Sequence, residues 1–183
     1  MGKLSITLIT LSSSMLIVGC TANLDDYEPQ TNNFDIKEYF NGDITAWGVI
    51  QDSRDKVTRR FCVEIEATWQ EVDGVLAETF YFDDGEVSYR NWHFKQLSDG
   101  SYQGTAEDVI GVGSAEHKGF ALQLQYTLLL AAYDAEFAVS MDDWMFQIDE
   151  HRVMNKTAIS KFGVNVANVT LFFDKQLPVK TCK

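Results

Sequence analysis

Two residues of opposite charge, Glu78 and Arg90, fall where the sequence predicts the apolar face of a β-hairpin. Residues 76–97 read LAETFYFDDGEVSYRNWHFKQL and predict two strands on either side of a short turn. Side chains alternate between the faces of a strand, so the face that carries Glu78 also carries apolar residues: Leu76, Phe80 and Phe82. The presence of a charged residue on such a face requires an explanation, because an unpaired buried charge is costly.

The length of the turn decides which residue faces Glu78. A three-residue turn over 83–85, with Gly85 in the left-handed conformation, sets Glu78 opposite Arg90. A two-residue turn would set Asn91 opposite Glu78 instead. We favour the first register, because it gives the carboxylate a charged partner.

The polar residues of this face allow two interpretations. Glu78 and Arg90 are either a buried ion pair that fixes strand register or a polar anchor inside a ligand cavity, and Asp108, on a face with Tyr102, is a third candidate. Ligand pockets are mostly apolar with a few polar groups. The apolar walls would come from five residues that could equally be plain packed core: Trp69, Phe80, Trp92, Leu122 and Leu124.

The rest of the sequence predicts a continuous series of β-strands. Alternating segments of about ten residues run from Asp43 to Lys175, separated by Asp-Gly and other turn signals, with a glycine-rich loop at 111–113. Both prolines of the chain lie outside these segments. We predict an all-β protein, an antiparallel up-and-down β-barrel of about nine strands, because closure removes exposed strand edges. A short helical turn over 35–40, capped by Asn33 or Asp35, would precede it.

The amino-terminal segment predicts export and lipid attachment. Lys3 precedes an apolar run that ends in Ile17-Val18-Gly19-Cys20, which resembles the bacterial lipobox. The resemblance implies a signal peptide over 1–19, cleavage before Cys20 and acylation of that cysteine. Residues 20–33 would then be an acylated, flexible tether, and 34–183 a single barrel domain. A simple signal peptide followed by a chance cysteine is the alternative.

The implied location of the protein and its net charge limit the partners that it could bind. No Asp follows Cys20 directly, and by resemblance to the enterobacterial sorting rule this implies the outer membrane, on its periplasmic side. The formal net charge of −12 argues against nucleic acid and against electrostatic attraction to anionic lipid. The acyl chains would therefore be the contact with the membrane.

Two cysteines remain after Cys20. Because the periplasm is oxidising, Cys62 and Cys182 are a disulfide candidate, with two free thiols as the alternative. Alternation places Cys62 on the outward face of its strand, where a returning tail could reach it.

The sequence predicts no metal site and no cofactor. The three histidines fall on separate elements, and no nucleophile elbow or zinc motif occurs. The paired acids Asp142 and Asp143 fall where we expect a strand to bend, a weak candidate for a metal site.

The order of several motifs resembles a known family. YFNGDITAWGVIQD, LAETFYFDDG, RNWHF, GTAEDVIGVG, DDWMF and KFGVNV, between Phe34 and Lys175, resemble a proteobacterial lipoprotein family described only as a domain of unknown function. The family is similar to calycins, the lipocalin-like barrels. That similarity implies a lipid-like ligand and brings no catalytic residues. The Gly-x-Trp signature of lipocalins is replaced here by Ala46-Trp47-Gly48.

These observations leave three functions open. The first is a lipid-anchored periplasmic barrel that binds or carries a hydrophobic small molecule. The second is a structural or interaction module with a filled core, whose partners bind its outer face. The third is an enzyme acting on a lipid-like substrate, with Glu78 or Asp108 as general acid or base.

Overall fold

Ten strands between Gly42 and Asp174 form a closed antiparallel barrel in the computed structural model, which describes residues 22–28, 33–132, 135–176 and 182. Each strand pairs with its neighbours in sequence, and the first pairs with the last. This confirms an up-and-down barrel. One short helix, α1 (Ile36–Tyr39), precedes the strands, which are β1 (Gly42–Asp52), β2 (Val57–Gln70), β3 (Asp73–Phe82), β4 (Val87–Gln96), β5 (Tyr102–Thr105), β6 (Val109–Lys118), β7 (Ala121–Ala132), β8 (Ala135–Gln147), β9 (Arg152–Lys161) and β10 (Val164–Asp174).

The count of ten, rather than about nine, comes from the glycine-rich segment predicted as a loop. The predicted single strand ends early, at Thr105, and Gly111 and Gly113 lie inside β6. The pairing of β6 with β7 is irregular between Ile110 and Ser114, and Gly111 has φ +75°. Glycine tolerates such a bulge, and Gly113 lies so close to Tyr126 that a Cβ would be 3.1 Å from the tyrosine Cβ.

Helix α1 closes one end of the barrel, which we call the closed end. Asp35, one of the two caps that the sequence allowed, caps the helix by accepting a hydrogen bond from the Glu38 amide at 3.0 Å. The indole of Trp69 donates to the carbonyl of Phe40 at 2.6 Å, and the Tyr102 hydroxyl donates to Asp35 at 2.7 Å. Four side chains around the helix are almost fully buried there: Phe34, Ile36, Tyr39 and Phe40.

The hairpin of β3 and β4 has the predicted register. Glu78 is the partner of Arg90, and the Phe82 amide donates to the carbonyl of Glu86 at 3.0 Å across the three-residue turn. Gly85 has φ +89°, the left-handed conformation that this turn requires. This turn lies at the end of the barrel opposite α1, which we call the mouth.

A disulfide ties the end of the chain to the outside of the barrel. Cys62 in β2 is bonded to Cys182, 120 positions further along the chain. The Cys182 amide donates to the Glu64 carboxylate at 3.3 Å, and the Tyr81 hydroxyl donates to the same carboxylate at 3.1 Å. Glu64 points outward yet is only 8% exposed. Cys182 therefore lies against the outer face of β2.

The segment 22–28 packs beside the closed end. It contains a 3₁₀ turn at Leu24–Asp26, and Tyr27 contacts Phe120 at 5.4 Å and Trp144 at 5.8 Å between ring centroids. The ammonium of Lys118 is 3.0 Å from the Asp25 carboxylate. The predicted signal peptide and Cys20 lie outside the described residues. Within those residues, no helix has the length and apolar character needed to cross a bilayer.

Removing the disulfide should destabilise the protein without changing the fold. We expect Cys62→Ser with Cys182→Ser to lower the free energy of unfolding by about 2–5 kcal/mol, because the bond closes a long loop. Urea unfolding with and without reductant measures this difference. Equal stability of the variant and the wild type would contradict the prediction.

Gly74 should be intolerant of even one added methyl group. A Cβ on Gly74 would lie 2.5 Å from the Trp69 ring, which would have to move from its hydrogen bond to Phe40. We expect Gly74→Ala to cost about 1–3 kcal/mol, the range for overpacking a tight core. Val75→Ala, at the neighbouring exposed position, is the control and should leave thermal unfolding nearly unchanged.

Candidate ligand cavity

A cavity of about 470 Å³ occupies the interior of the barrel. Its walls include the mouth residue Glu86, whose side chain is 56% exposed, so the cavity reaches the surface at the mouth. This volume lies within the range of about 300–1,000 Å³ that small-molecule sites occupy.

Burial shows which part of the interior is empty. Side chains next to α1 have almost no accessible surface: Ile65, Leu76, Phe94 and Phe173. Side chains nearer the mouth also point inward but remain half-buried, and they include Ile50, Phe80, Phe82, Val169 and Leu171. The packed core therefore fills the closed end, and the cavity lies between it and the mouth.

A bidentate ion pair lies in the wall between these two regions. Arg90 Nε is 3.0 Å and 3.1 Å from the two carboxylate oxygens of Asp108, and one terminal nitrogen is 2.6 Å from Oδ2. The guanidinium carbon lies 5.5 Å from the centre of the Phe80 ring. Burial disfavours the charged guanidinium, but Glu78 and Asp108 outweigh it and raise the pKa of Arg90.

The sequence assigned the wrong ion-pair partner to Arg90. Glu78 lies opposite Arg90 in the sheet, but among the described residues the salt bridge of Arg90 is with Asp108. Strand β5 ends at Thr105, and the chain beyond it brings Asp108 alongside Arg90. The fork of the guanidinium then meets both oxygens of one carboxylate, which is a strong geometry.

Glu78 is left facing the cavity without a short-range partner. Within the described part of the chain, no group hydrogen-bonds to its carboxyl, and Arg90 acts on it only through longer-range attraction. Burial raises the pKa of Glu78 to about 7, Arg90 opposes this rise, and Asp143 and Asp108 add to it.

A second polar group, which the sequence did not assign to the cavity, completes the lining. Asp143 in β8 accepts hydrogen bonds at Oδ1 from the Asn155 amide and, at 2.8 Å, from the Thr157 hydroxyl. All three side chains are buried, and all three line the cavity. Burial raises the pKa of Asp143, against the lowering effect of these two hydrogen bonds and of Arg90. Tyr126 lines the cavity close to them, and burial with the charge of Asp143 raises the pKa of its hydroxyl.

The signal that revealed Glu78 could have revealed these residues. Asn155 and Thr157 alternate with the apolar residues Val153 and Ile159 in β9, so they share an inward face. The expectation that Asp142 and Asp143 lie at a bend is wrong. Both lie within β8, where alternation separates them, and Asp142 accepts hydrogen bonds from glutamine side chains on the outer face.

The five predicted wall residues divide into two sets. Phe80, Trp92 and Leu124 line the cavity. Trp69 and Leu122 do not, because Trp69 is bonded to α1 and Leu122 is fully buried in the core of the closed end. Those two assignments were wrong because alternation fixes the face of a strand and not the height along the barrel.

An arginine at the mouth is neutralised by neighbouring acids. Arg59 Nη2 is 2.7 Å from Asp84 and 3.0 Å from Glu86, and its guanidinium carbon lies 3.7 Å above the Phe82 ring. Within the described chain, no three histidine, cysteine or acidic side chains are placed to hold a metal ion.

Replacing Glu78 should change how stability depends on pH. The raised pKa means that the folded state binds more protons than the unfolded state between pH 4.5 and about 7, so wild-type stability falls as pH rises through this window. The variant Glu78→Gln has no carboxyl at this position, so its stability should not fall in this window. We expect the variant to match the wild type near pH 4.5 and to be more stable above pH 7, measured by urea unfolding. Parallel pH profiles would contradict the raised pKa.

Replacing Arg90 should be more damaging than replacing Glu78. Arg90→Leu strands the Asp108 carboxylate and removes the positive charge opposite Glu78. We expect a loss near the lower end of the ~3–5 kcal/mol that breaking a buried pair costs, because Asp108 is partly exposed. Arg60→Leu is the control. Its pair with Asp83 lies on the surface, and we expect a loss of at most ~1 kcal/mol.

Comparison with known proteins gives a family and low structural similarity. No curated protein matches the chain. Among solved structures, apocrustacyanin C2 is similar at 14% identity and a TM-score of 0.38, and lobster apocrustacyanin A1 at 13% and 0.36. Both alignments cover 79% of this chain and 65% of the other, so the chain spans about two thirds of the length of these structures. A family model matches residues 14–175, and the chain therefore belongs to DUF3833, a family of proteins of unknown function.

Proposed function

We propose that this protein binds a hydrophobic small molecule inside the barrel. The observation that carries the proposal is the cavity itself, whose space lies between apolar and aromatic walls and whose polar groups are few and clustered. A barrel that served only as a scaffold would bury these side chains against one another, because close packing stabilises a core.

The arrangement of the cavity gives the ligand an orientation. Half-buried apolar side chains line the path from the mouth: Ile50, Phe80, Phe82, Val169 and Leu171. Glu78, Arg90 and Asp143 lie deeper, next to the packed closed end. A hydrophobic molecule would therefore enter with its polar group first, and its apolar part would remain between the polar cluster and the mouth.

The cavity disfavours the filled-core alternative. That alternative requires an interior packed solid along its whole length, and the half-buried inward side chains near the mouth leave space. An enzyme would need a free acid or base next to a substrate. Asp108 is held in its ion pair with Arg90, which leaves Glu78 as the remaining candidate from the sequence.

Filling the cavity should abolish binding. Val169 points inward and Thr170, the next residue of β10, points outward, so Val169→Trp and Thr170→Trp add the same ring on opposite faces. We expect Nile red fluorescence to rise with wild type and Thr170→Trp but not with Val169→Trp. Leu171→Phe, a smaller change in the same wall, should weaken binding in the same direction if Val169→Trp folds poorly.

The natural ligand should accompany the protein. We expect mass spectrometry of organic extracts to detect a hydrophobic molecule with wild-type protein from its own envelope, and much less of it with Val169→Trp. Protein that carries no such molecule and does not bind Nile red would overturn the proposal.

We also propose that the protein is held at the periplasmic face of the outer membrane by acyl chains on Cys20. The lipobox-like sequence before Cys20 supports this, and the disulfide between Cys62 and Cys182 fits an oxidising compartment. Each buried methylene of a lipid anchor contributes about 0.8 kcal/mol, so several chains would retain the protein firmly.

Replacing the anchoring cysteine should release the protein. We expect wild type to incorporate labelled palmitate and to fractionate with outer membranes, and Cys20→Ser to do neither. Cys62→Ser serves as the control and should remain labelled. Membrane retention of unlabelled Cys20→Ser would contradict the anchor. Nile red binding should be the same for the wild type and for Cys20→Ser.

A further inference from the structure

The polar residues of the cavity carry an excess of negative charge. Two arginines line it, Arg59 and Arg90, against four acids: Glu78, Glu86, Asp108 and Asp143. Each arginine is already paired with acidic side chains, Arg59 at the mouth and Arg90 deeper inside. Among the described residues that line the cavity, Glu78 and Asp143 are therefore the acids in its deep part without a cation of their own.

These two acids keep unused hydrogen-bonding capacity. The hydrogen bonds that Asp143 accepts from Asn155 and Thr157 both fall on Oδ1. Across the described residues, no donor approaches the Glu78 carboxyl within hydrogen-bond distance. Glu78 is half-buried, and a carboxyl with little access to water and no donors is costly, so a group that donates to it would stabilise the site.

Among the described residues, the surroundings of Glu78 supply no charged hydrogen-bond donor apart from Arg90. Ionisable side chains act on it from four directions: Arg90 on β4, Asp108 after β5, Asp143 on β8, and Tyr126 on β7. Its neighbour on β2 is Ile65, which is apolar. Only Arg90 is positive, and two of its nitrogens are bonded to Asp108.

We propose, building on the proposed function, that the ligand is a hydrophobic amine whose ammonium group is neutralised by Glu78 with Asp143 nearby. An ammonium group donates three hydrogen bonds and brings the missing positive charge. Trp92 and Tyr126, in edge-to-face contact with ring centroids 5.0 Å apart, add aromatic surface to the lining at this depth.

An anionic head group fits this cavity poorly. The nitrogen of Arg90 that is not bonded to Asp108 could meet a carboxylate, but that carboxylate would lie beside Glu78, opposite Arg90 in the sheet. Like charges at short range repel strongly in a low-dielectric interior. A fatty acid should therefore bind more weakly than an amine with the same chain.

Binding of an amine should strengthen as pH rises. The pKa of Glu78, raised by burial to about 7, leaves much of the carboxyl protonated below neutrality, and an ammonium group favours the ionised form. Burial also raises the pKa of Asp143, which acts in the same direction. A neutral alcohol has no such preference and should bind with little change between pH 6 and pH 8.

Three ligands with one chain length test the proposal. Decylamine, decanol and decanoic acid are titrated against Nile red bound to wild-type protein at pH 6 and pH 8. We expect decylamine to bind at least about tenfold more tightly than decanoic acid at pH 8, the effect of about 1.4 kcal/mol. Its affinity should be lower at pH 6.

Glu78→Gln identifies the residue responsible. We expect this variant to lose about tenfold in decylamine affinity at pH 8 and to keep decanol affinity within about twofold, since only a charged ligand needs the ionised carboxylate. Glu66→Gln, on the outer face of β2, should behave as wild type.

The outcomes separate the two proposals. Decanol displacing Nile red, with decylamine no tighter than decanoic acid, would overturn the amine assignment and leave hydrophobic binding intact. Undiminished decylamine binding by Glu78→Gln would also overturn it. No displacement by any of the three, together with no Nile red binding, would overturn both.

Discussion

The ion pair between Arg90 and Asp108 is the interaction on which the interior of the barrel depends. A guanidinium inside a small barrel is stable only with a carboxylate in good geometry, and the bidentate contact provides it. Once Arg90 is fixed, its charge lowers the cost of placing Glu78 opposite it and Asp143 nearby. These polar side chains line the cavity where it meets the packed core of the closed end. One charged pair thus separates a packed half of the barrel from a hollow one.

The packed half of the barrel has the side-chain contacts across the interior that the hollow half lacks. Aromatic rings at the closed end meet edge to face, including Phe40 with Phe173 at 5.5 Å, and α1 is bonded to the barrel through Trp69 and Tyr102. These contacts fix the strands at the closed end of the barrel. The walls nearer the mouth are then held by strand pairing and the closure of β1 on β10, without needing side chains to fill the centre.

The sequence predicted those features that depend on local chemistry. Period-two alternation gave the strands and their inward faces, and the left-handed Gly85 gave the register that pairs Glu78 with Arg90. The sequence prediction failed for features that depend on the shear of the strands and on the position of a residue along the barrel axis. Asp108 reaches Arg90 because β5 is short, and Asp143 faces Glu78 across the barrel, from a strand far away in sequence. Alternation cannot show which inward residues share a level, so Trp69 and Leu122 were assigned to the wrong layer.

The position of the segment 22–28 has a consequence for how the molecule would be oriented at a bilayer. Tyr27 and Asp25 hold this segment beside the closed end, and two residues lie between Asn23 and Cys20, so the two are at most about 10 Å apart at full extension. Acyl chains on Cys20 would keep the closed end against the leaflet that receives them and point the mouth away from it. The cavity would then exchange its ligand with the aqueous space or with a surface opposite that leaflet. It would not exchange ligand with the lipids next to its own anchor.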